Sequence, residues 1–150
     1  MVFLISEEQA EKNLHRELKD YNIKALAEAG RRVWNETLGR IKVEGGTEDD
    51  KTVFYSSFYR TFERPICMSE DGRYFSAFDG KVHEDNGTPF YNDDWIWDTY
   101  RAAHPLRTLI DRQKEEDIIA SYLRMAEQMG NMWMPTFPEV TGDTRRMNSN

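Results

Sequence analysis

Aromatic and acidic side chains are concentrated in one stretch of the chain, residues 91–106, which reads YNDDWIWDTYRAAHPL. Trp95 and Trp97 are two positions apart, so in an extended segment both indoles project to the same side. Asp98 and Thr99 then open a helical pattern, in which an acidic first turn is favoured by the helix dipole. A flat indole beside a carboxylate suits a sugar, whose hydroxyls donate to the carboxylate. The spacing therefore predicts a carbohydrate-binding surface.

The same residues also fit a purely structural explanation. Trp side chains are often core residues, and Asp94 or Asp98 can simply cap a helix. His83 stands beside two acidic residues but is expected at an exposed strand end, because a metal site needs several converging ligands. His104 precedes Pro105, where a helix should kink or divide, and is expected to bond a freed backbone carbonyl. No metal ligand is predicted in this chain.

Composition limits the range of functions. The chain has 150 residues, the size of one ordinary domain, and its net charge of -7 disfavours nucleic acid and anionic membranes as partners. No run approaches the roughly 18 apolar residues of a membrane span. The single cysteine, Cys67, forbids an internal disulfide, so the compartment is not indicated. The opening residues MVFLI are too short for a signal peptide and lack its basic leader.

Hydrophobic periodicity and turn residues predict a mainly helical chain with one short β-hairpin. Ser6 with Gln9, and Thr47 with Asp50, are spaced as capping boxes at two helix starts. An Asp-Gly pair at 79–80 predicts the hairpin turn. Further helices are expected over residues 23–39, over 98–104 and from 111, with an aspartate cap, to about 129.

Several segments together resemble one enzyme family. The sequence WDTYRAAHPL resembles the WDT-x-R-x-x-HPL signature of the glycoside hydrolase family 92 mannosidases. Other segments resemble that family in the same order, and the resemblance covers roughly residues 3–143. They are SEEQAEKN, WNE, LGRIKVEGG, FYSSFYRT, DGRY and DGK.

The resemblance implies a fold and a division of the chain. It implies a mainly α structure that is part of an α/α-toroid (six-hairpin) catalytic domain, with a short β-hairpin. Residues 1–46 would be connecting helices that lead into the catalytic domain. Residues 47–143 would be the first part of the toroid, and residues 144–150 a disordered tail.

The resemblance also implies a function, that of a calcium-dependent exo-α-mannosidase which hydrolyses N-glycan-type α-mannosides with inversion. Trp97 would form a wall of the mannose subsite and Asp98 would accept sugar hydroxyls, with Trp95 as a further substrate contact. The family carries a Trp–Glu pair near the end of this region, which makes Glu139, here preceded by Pro138, the fourth substrate-binding candidate. The acid, the base and most calcium ligands are expected beyond residue 150. The compartment implied is periplasmic or secreted.

Two alternatives remain open at this point. The chain can be a sugar-binding module that uses Trp95, Trp97 and Asp98 without chemistry. It can instead be a structural fragment, inactive alone, that self-associates through exposed helix faces or awaits a second chain. A mannose-containing glycan is the expected partner of the mannosidase and of the sugar-binding module.

Overall fold

A computed structural model describes residues 5–130 and 132–141. The chain divides into two compact units, one formed by the described residues of 1–11 and 64–150, the other by Lys12–Glu63. The described part contains helices α1 to α6 and strands β1 to β4. In chain order they are α1 Glu7–Glu17, α2 Ile23–Leu38, α3 Glu48–Arg60, β1 Ile66–Cys67, β2 Arg73–Ser76, β3 Lys81–Glu84, β4 Tyr91–Asn92, α4 Ile96–Thr99, α5 Ala103–Ile110 and α6 Arg112–Gln128. None of the helices described combines the length and apolarity that crossing a membrane requires.

The unit Lys12–Glu63 is built on α2 and α3. The predicted capping box at the start of α3 is confirmed. The Thr47 hydroxyl accepts the backbone N–H of Asp50 at 3.1 Å, and the Asp50 carboxylate accepts the backbone N–H of Thr47 at 2.8 Å. Both bonds satisfy donors that a helix start leaves without an intrahelical acceptor.

Aromatic side chains at helical spacing form the centre of this unit. The centroids of the Phe54 and Phe58 rings are 6.1 Å apart and those of Phe58 and Phe62 are 5.2 Å apart, so the three rings form one continuous stripe. Trp34 of α2 packs on Tyr59 at 4.5 Å between ring centroids. No residue of α2 is fully buried, so its apolar side chains are only partly covered within the described chain.

The other unit contains the predicted hairpin, which is confirmed. Strands β2 and β3 are antiparallel, with Arg73 opposite Glu84 and Ser76 opposite Lys81. Gly80 in the connecting turn has a φ of 71°, a conformation that glycine adopts without a steric cost. A second antiparallel pair, β1 with β4, was not predicted. Each of these strands has only two residues, which is too short for an alternation to be visible in sequence.

The hydrophobic core of this unit lies between the strands and one face of α6. The buried members are Met68, Tyr74, Phe90, Ile118, Tyr122 and Met125. The rings of Tyr74 and Phe90 stack with centroids 4.0 Å apart. Ile118, Tyr122 and Met125 are spaced four and three positions apart, so they form one buried stripe of α6. Asp111 occupies the N-cap position of α6, as predicted, but its side chain makes no capping hydrogen bond.

Two short helices take the place of the single helix expected over residues 98–104. Helix α4 begins at Ile96, earlier than expected, and ends at Thr99. Helix α5 begins at Ala103, so Pro105 lies in its first turn and does not interrupt a helix. Proline is tolerated in a first turn because the N–H that it lacks has no intrahelical acceptor there.

Candidate carbohydrate site and the charged cluster beside it

The two indoles of the central stretch are not related as the sequence predicted. Trp95 is the N-cap residue of α4 and Trp97 lies inside that helix, so the extended spacing that would place both rings on one side does not apply. Their exposed fractions are 37% and 62%, so neither ring is a core residue in this structure. Asp98 is exposed in the first turn of α4, as predicted.

Helix α4 is held beside the segment 136–139 by backbone hydrogen bonds. The N–H of Asp94 donates to the carbonyl of Pro138, and the N–H of Ile96 donates to the carbonyl of Thr136, each at 3.2 Å. The Asn92 amide donates to the carbonyl of Glu139 at 2.9 Å. Glu139 thus lies next to the central stretch, with its backbone bonded and its side chain half-buried.

An arginine covers one face of Trp95. The guanidinium of Arg64 lies 4.3 Å from the centroid of that ring, close enough for a cation–π contact. The Nε of Arg64 is also 3.5 Å from Asp93 Oδ2. A ligand that stacks on Trp95 would therefore use the opposite face or displace Arg64. Trp97 is the more open of the two indoles.

Behind α4 lies a buried group of polar side chains, here called the charged cluster and formed by Asp94, His104, Arg107, Glu115 and Tyr122. Asp94 is 0% exposed, Arg107 2% and Glu115 5%. His104 Nε2 is 2.9 Å from Asp94 Oδ2, and His104 Nδ1 is 2.6 Å from Glu115 Oε1. The Tyr122 hydroxyl donates to Asp94 Oδ2 at 3.0 Å.

These contacts correct two predictions. Asp94 does not cap a helix: its Oδ1 accepts the N–H of Trp95 at 2.9 Å, while its other oxygen faces the charged cluster. Within the described residues, the His104 ring bonds to the side chains of Thr99, Asp94 and Glu115 rather than to a backbone carbonyl. The division between α4 and α5 lies before His104, so the ring points to Asp94 and Glu115.

The charged cluster changes the pKa values of its members. Burial alone would lower the pKa of His104, but the hydrogen bonds and charges of Asp94 and Glu115 raise it to about 9. Burial would raise the pKa of Asp94, yet the bond and charge of His104, with bonds from Thr99 and Tyr122, hold it below its ordinary value. Burial and the charge of Asp94 raise the pKa of the Tyr122 hydroxyl, which stays protonated as a donor.

The sequence contained one signal for this cluster. Glu115 lies three positions before Ile118 and seven before Tyr122, so it belongs to the buried stripe of α6. A carboxylate on a buried stripe needs a partner, since an unpaired buried charge is costly. The partner His104 is in the HPL part of the signature, but Asp94 and Arg107 carry no distinctive spacing.

His83 bonds to a carboxylate of the hairpin turn and, among the described residues, belongs to no metal site. The His83 Nε2 is 2.9 Å from Asp79 Oδ2, a hydrogen bond across the hairpin turn. Within residues 5–130 and 132–141, no group of three or more His, Cys, Asp or Glu side chains is arranged to hold a metal ion.

Comparison with known proteins gives the family. The family model "Glycosyl hydrolase family 92 catalytic domain" matches residues 9–150. Among curated proteins, none matches this chain. Since the family model matches nearly the whole chain, the chain belongs to glycosyl hydrolase family 92.

Solved structures of the same family are similar to it. The family GH92 inverting mannosidase BT2199 from Bacteroides thetaiotaomicron VPI-5482 is 36% identical, with a TM-score of 0.83 over 97% of this chain. The α-mannosidase BT3965 from the same species, in complex with mannoimidazole, is 26% identical with a TM-score of 0.85 over 95%. The GH92 family glycosyl hydrolase ccman5 is 28% identical with a TM-score of 0.76 over 94%. The expected fold class, mainly α as part of an α/α toroid with a short hairpin, is confirmed.

The chain spans only a fifth of the length of these relatives. It covers 20% of BT2199, 19% of BT3965 and 20% of ccman5. The division into units at residues 11 and 63 does not test the predicted domain boundaries at 46 and 143, which refer to the whole catalytic domain. The predicted tail at 144–150 lies outside the described residues.

Proposed function

We propose that this chain is part of the catalytic domain of an inverting α-mannosidase that acts on N-glycan-type α-mannosides, and that it supplies one wall of the mannose subsite. The observation that carries the proposal is the exposed Trp97–Asp98 pair within the family's signature sequence. Two of the relatives are described as mannosidases, one of them with mannoimidazole bound.

The geometry of α4 suits a sugar that lies over the edge between two neighbouring side chains. Consecutive residues on a helix point about 100° apart, because a turn contains 3.6 residues. A mannose ring could place its C–H face on Trp97 and direct hydroxyls to Asp98, which accepts them. Trp95 would add only its face opposite Arg64, and Glu139 would contribute from the segment that pairs with residues 92–96.

Hydrolysis requires more than this wall. An inverting glycosidase needs an acid and a base whose carboxyl groups are roughly 6.5–9.5 Å apart. Asp94 and Glu115 are buried and bonded to His104, and Asp94 has a lowered pKa where a general acid needs a raised one. As the family resemblance implies, we place the acid and base beyond residue 150, and we expect little or no turnover by this chain alone.

Calcium enters the proposal only through the family. Within the described residues, no group of three or more His, Cys, Asp or Glu side chains is arranged to hold a metal ion. Calcium is a hard cation that takes six to eight oxygen ligands, which the proposal assigns mostly to residues outside this chain.

The proposal is tested by ligand-observed NMR with methyl α-mannoside. The 150-residue chain should bind in the millimolar range, and the Trp97→Ala and Asp98→Asn variants should each bind more weakly. Asp49→Asn is the matched control, since Asp49 is also an exposed first-turn carboxylate but on α3. Equal binding by all four proteins, or equal binding of a β-galactoside, would argue against a mannose subsite at α4.

A separate assay tests the assignment of the acid and base. The purified chain is incubated with calcium and an aryl α-mannoside, and release of the aryl alcohol is followed. Brisk turnover would show that the catalytic carboxyl groups lie within the 150 residues and would refute their placement beyond the chain.

A further inference from the structure

The charged cluster lies directly behind the helix that carries Trp97 and Asp98, and the proposed function gives it no task. Its members come from three parts of the chain. Asp94 precedes α4, His104 and Arg107 belong to α5, and Glu115 and Tyr122 belong to α6. The cluster therefore connects α4 to the two helices that follow it.

The distances assign two protons to the His104 ring. Ionised Asp94 and Glu115 can only accept hydrogen bonds, and each has an oxygen within 2.9 Å of a ring nitrogen. Both nitrogens must then carry a proton, which makes the ring an imidazolium. Arg107 Nη1 is 3.3 Å from Nδ1, but a neutral Nδ1 that accepted from it would face Glu115 lone pair to lone pair at 2.6 Å.

The charges around the His104 ring compensate one another. Two carboxylates face His104, and the guanidinium of Arg107 lies 3.7 Å from the second oxygen of Glu115. Arg107 is itself fixed, since its Nη2 donates to the carbonyl of Arg64 at 2.6 Å. Two cations and two anions thus meet in a buried site, where breaking one pair leaves an uncompensated charge.

Helix α4 depends on contacts outside itself. It has four residues, fewer than an isolated helix needs to be stable, and its N-cap makes no side-chain hydrogen bond. His104 forms hydrogen bonds at both ends of α4. The ring faces Asp94, whose other oxygen holds the N–H of Trp95, and Nε2 is also 3.0 Å from the Thr99 hydroxyl at the end of α4.

We propose that His104 is a positioning residue, which as an imidazolium between Asp94 and Glu115 fixes the single turn α4 and so the directions of Trp97 and Asp98. The inference rests on the proposed function for its consequence, because a mannose subsite on α4 would then depend on a group that does not touch the sugar. The order of α4 can be measured without any ligand, and so independently of the proposed function.

The protonation state of His104 is measured from the ring nitrogen NMR signals of the chain labelled with 15N in its histidines. Both ring nitrogens of His104 should carry protons at pH 7 and should lose one only near pH 9, where the pKa lies. A His104 ring with a single proton at pH 7 would overturn the proposal. His15, exposed on α1, provides the internal comparison.

The order of α4 is measured by 15N relaxation of the amides of residues 96–99. The His104→Gln variant should show lower order there than wild type at pH 7, and wild type at pH 10 should resemble the variant. His15→Gln is the control and should match wild type. Unchanged order in His104→Gln would refute the positioning role. If that variant fails to fold, Thr99→Val and the wild-type pH series decide the question instead.

Methyl α-mannoside separates this inference from the proposed function. If α4 is ordered in only a tenth of the molecules, the apparent affinity falls about tenfold, because only the competent fraction binds. We therefore expect a loss of that order in His104→Gln and in wild type at pH 10. A wild type that binds no mannoside refutes the proposed function while the order of α4 still tests His104. A variant that binds as well as wild type refutes the role of His104.

Discussion

Substituting His104 by glutamine removes the positive charge that faces both Asp94 and Glu115 but keeps a polar side chain of similar reach. Each pH unit by which folding raises a pKa corresponds to about 1.4 kcal/mol, so the rise from 6.5 to about 9 links about 3 kcal/mol of unfolding free energy to the proton on His104. The ring is only 15% exposed, so solvent screening reduces this figure little.

The sign of the pH dependence follows from the raised pKa. Below about pH 6.5, folded and unfolded His104 are both protonated, and the full stabilisation is present. As pH rises to 9 and beyond, the folded state also loses its proton and the stabilisation disappears. The difference in unfolding free energy between wild type and His104→Gln should therefore fall by about 3 kcal/mol between pH 6 and pH 10.

Urea titrations at several pH values measure this difference. The ring C–H signals of Trp95 and Trp97 in NMR spectra report unfolding of the unit that contains His104, separately from Lys12–Glu63. A difference that is constant between pH 6 and pH 10, or that grows with pH, would contradict an imidazolium in the charged cluster. His15→Gln should stay within about 0.5 kcal/mol of wild type throughout, as surface substitutions usually do.

Three further substitutions test the packing and the caps. Tyr122→Phe removes the hydroxyl that donates to buried Asp94 and should cost about 1.5–3 kcal/mol of unfolding free energy, the range for hydrogen bonds to charged groups; an unchanged urea midpoint would contradict that bond. Thr47→Ala removes the cap of α3 and should cost about 1 kcal/mol, with Ser56→Ala on the same helix as a control that leaves the cap intact. Phe90→Ala should cost about 3–5 kcal/mol by thermal unfolding because its side chain is fully buried, and a cost below about 1 kcal/mol would show that the core is not as described.

Local signals in the sequence predicted much of the fold. The capping box at Thr47 and Asp50 depends on residues three apart, and the Asp79–Gly80 turn depends on two neighbours, so both are visible without tertiary information. The pairing of β1 with β4 depends on contacts between residues some 25 positions apart, which leave no periodicity in two-residue strands.

The candidate site was predicted only in part, because some of its contacts are local in sequence and others are not. Trp97 and Asp98 stand in a recognisable signature, but the assumption of an extended segment misplaced Trp95, because one turn of helix forms there through bonds to residues 136–138. The partners of His104 were missed because they approach it only in the folded chain. Glu115 approaches it when α5 packs on α6, and Asp94 approaches it when the residues before α4 lie against α5.

The most direct test of a mannose subsite on α4 is a residue-resolved titration. Methyl α-mannoside is added to the chain at pH 7, and the ring signals of Trp97 and Trp34 are followed in 1H–13C spectra. Trp97 is 62% exposed beside Asp98, whereas Trp34 packs on Tyr59. The signals of Trp97 should therefore shift in a saturable manner, and those of Trp34 should not. Signals of Trp97 that stay in place up to sugar concentrations that saturate ligand-observed binding, or that move only together with those of Trp34, would contradict it.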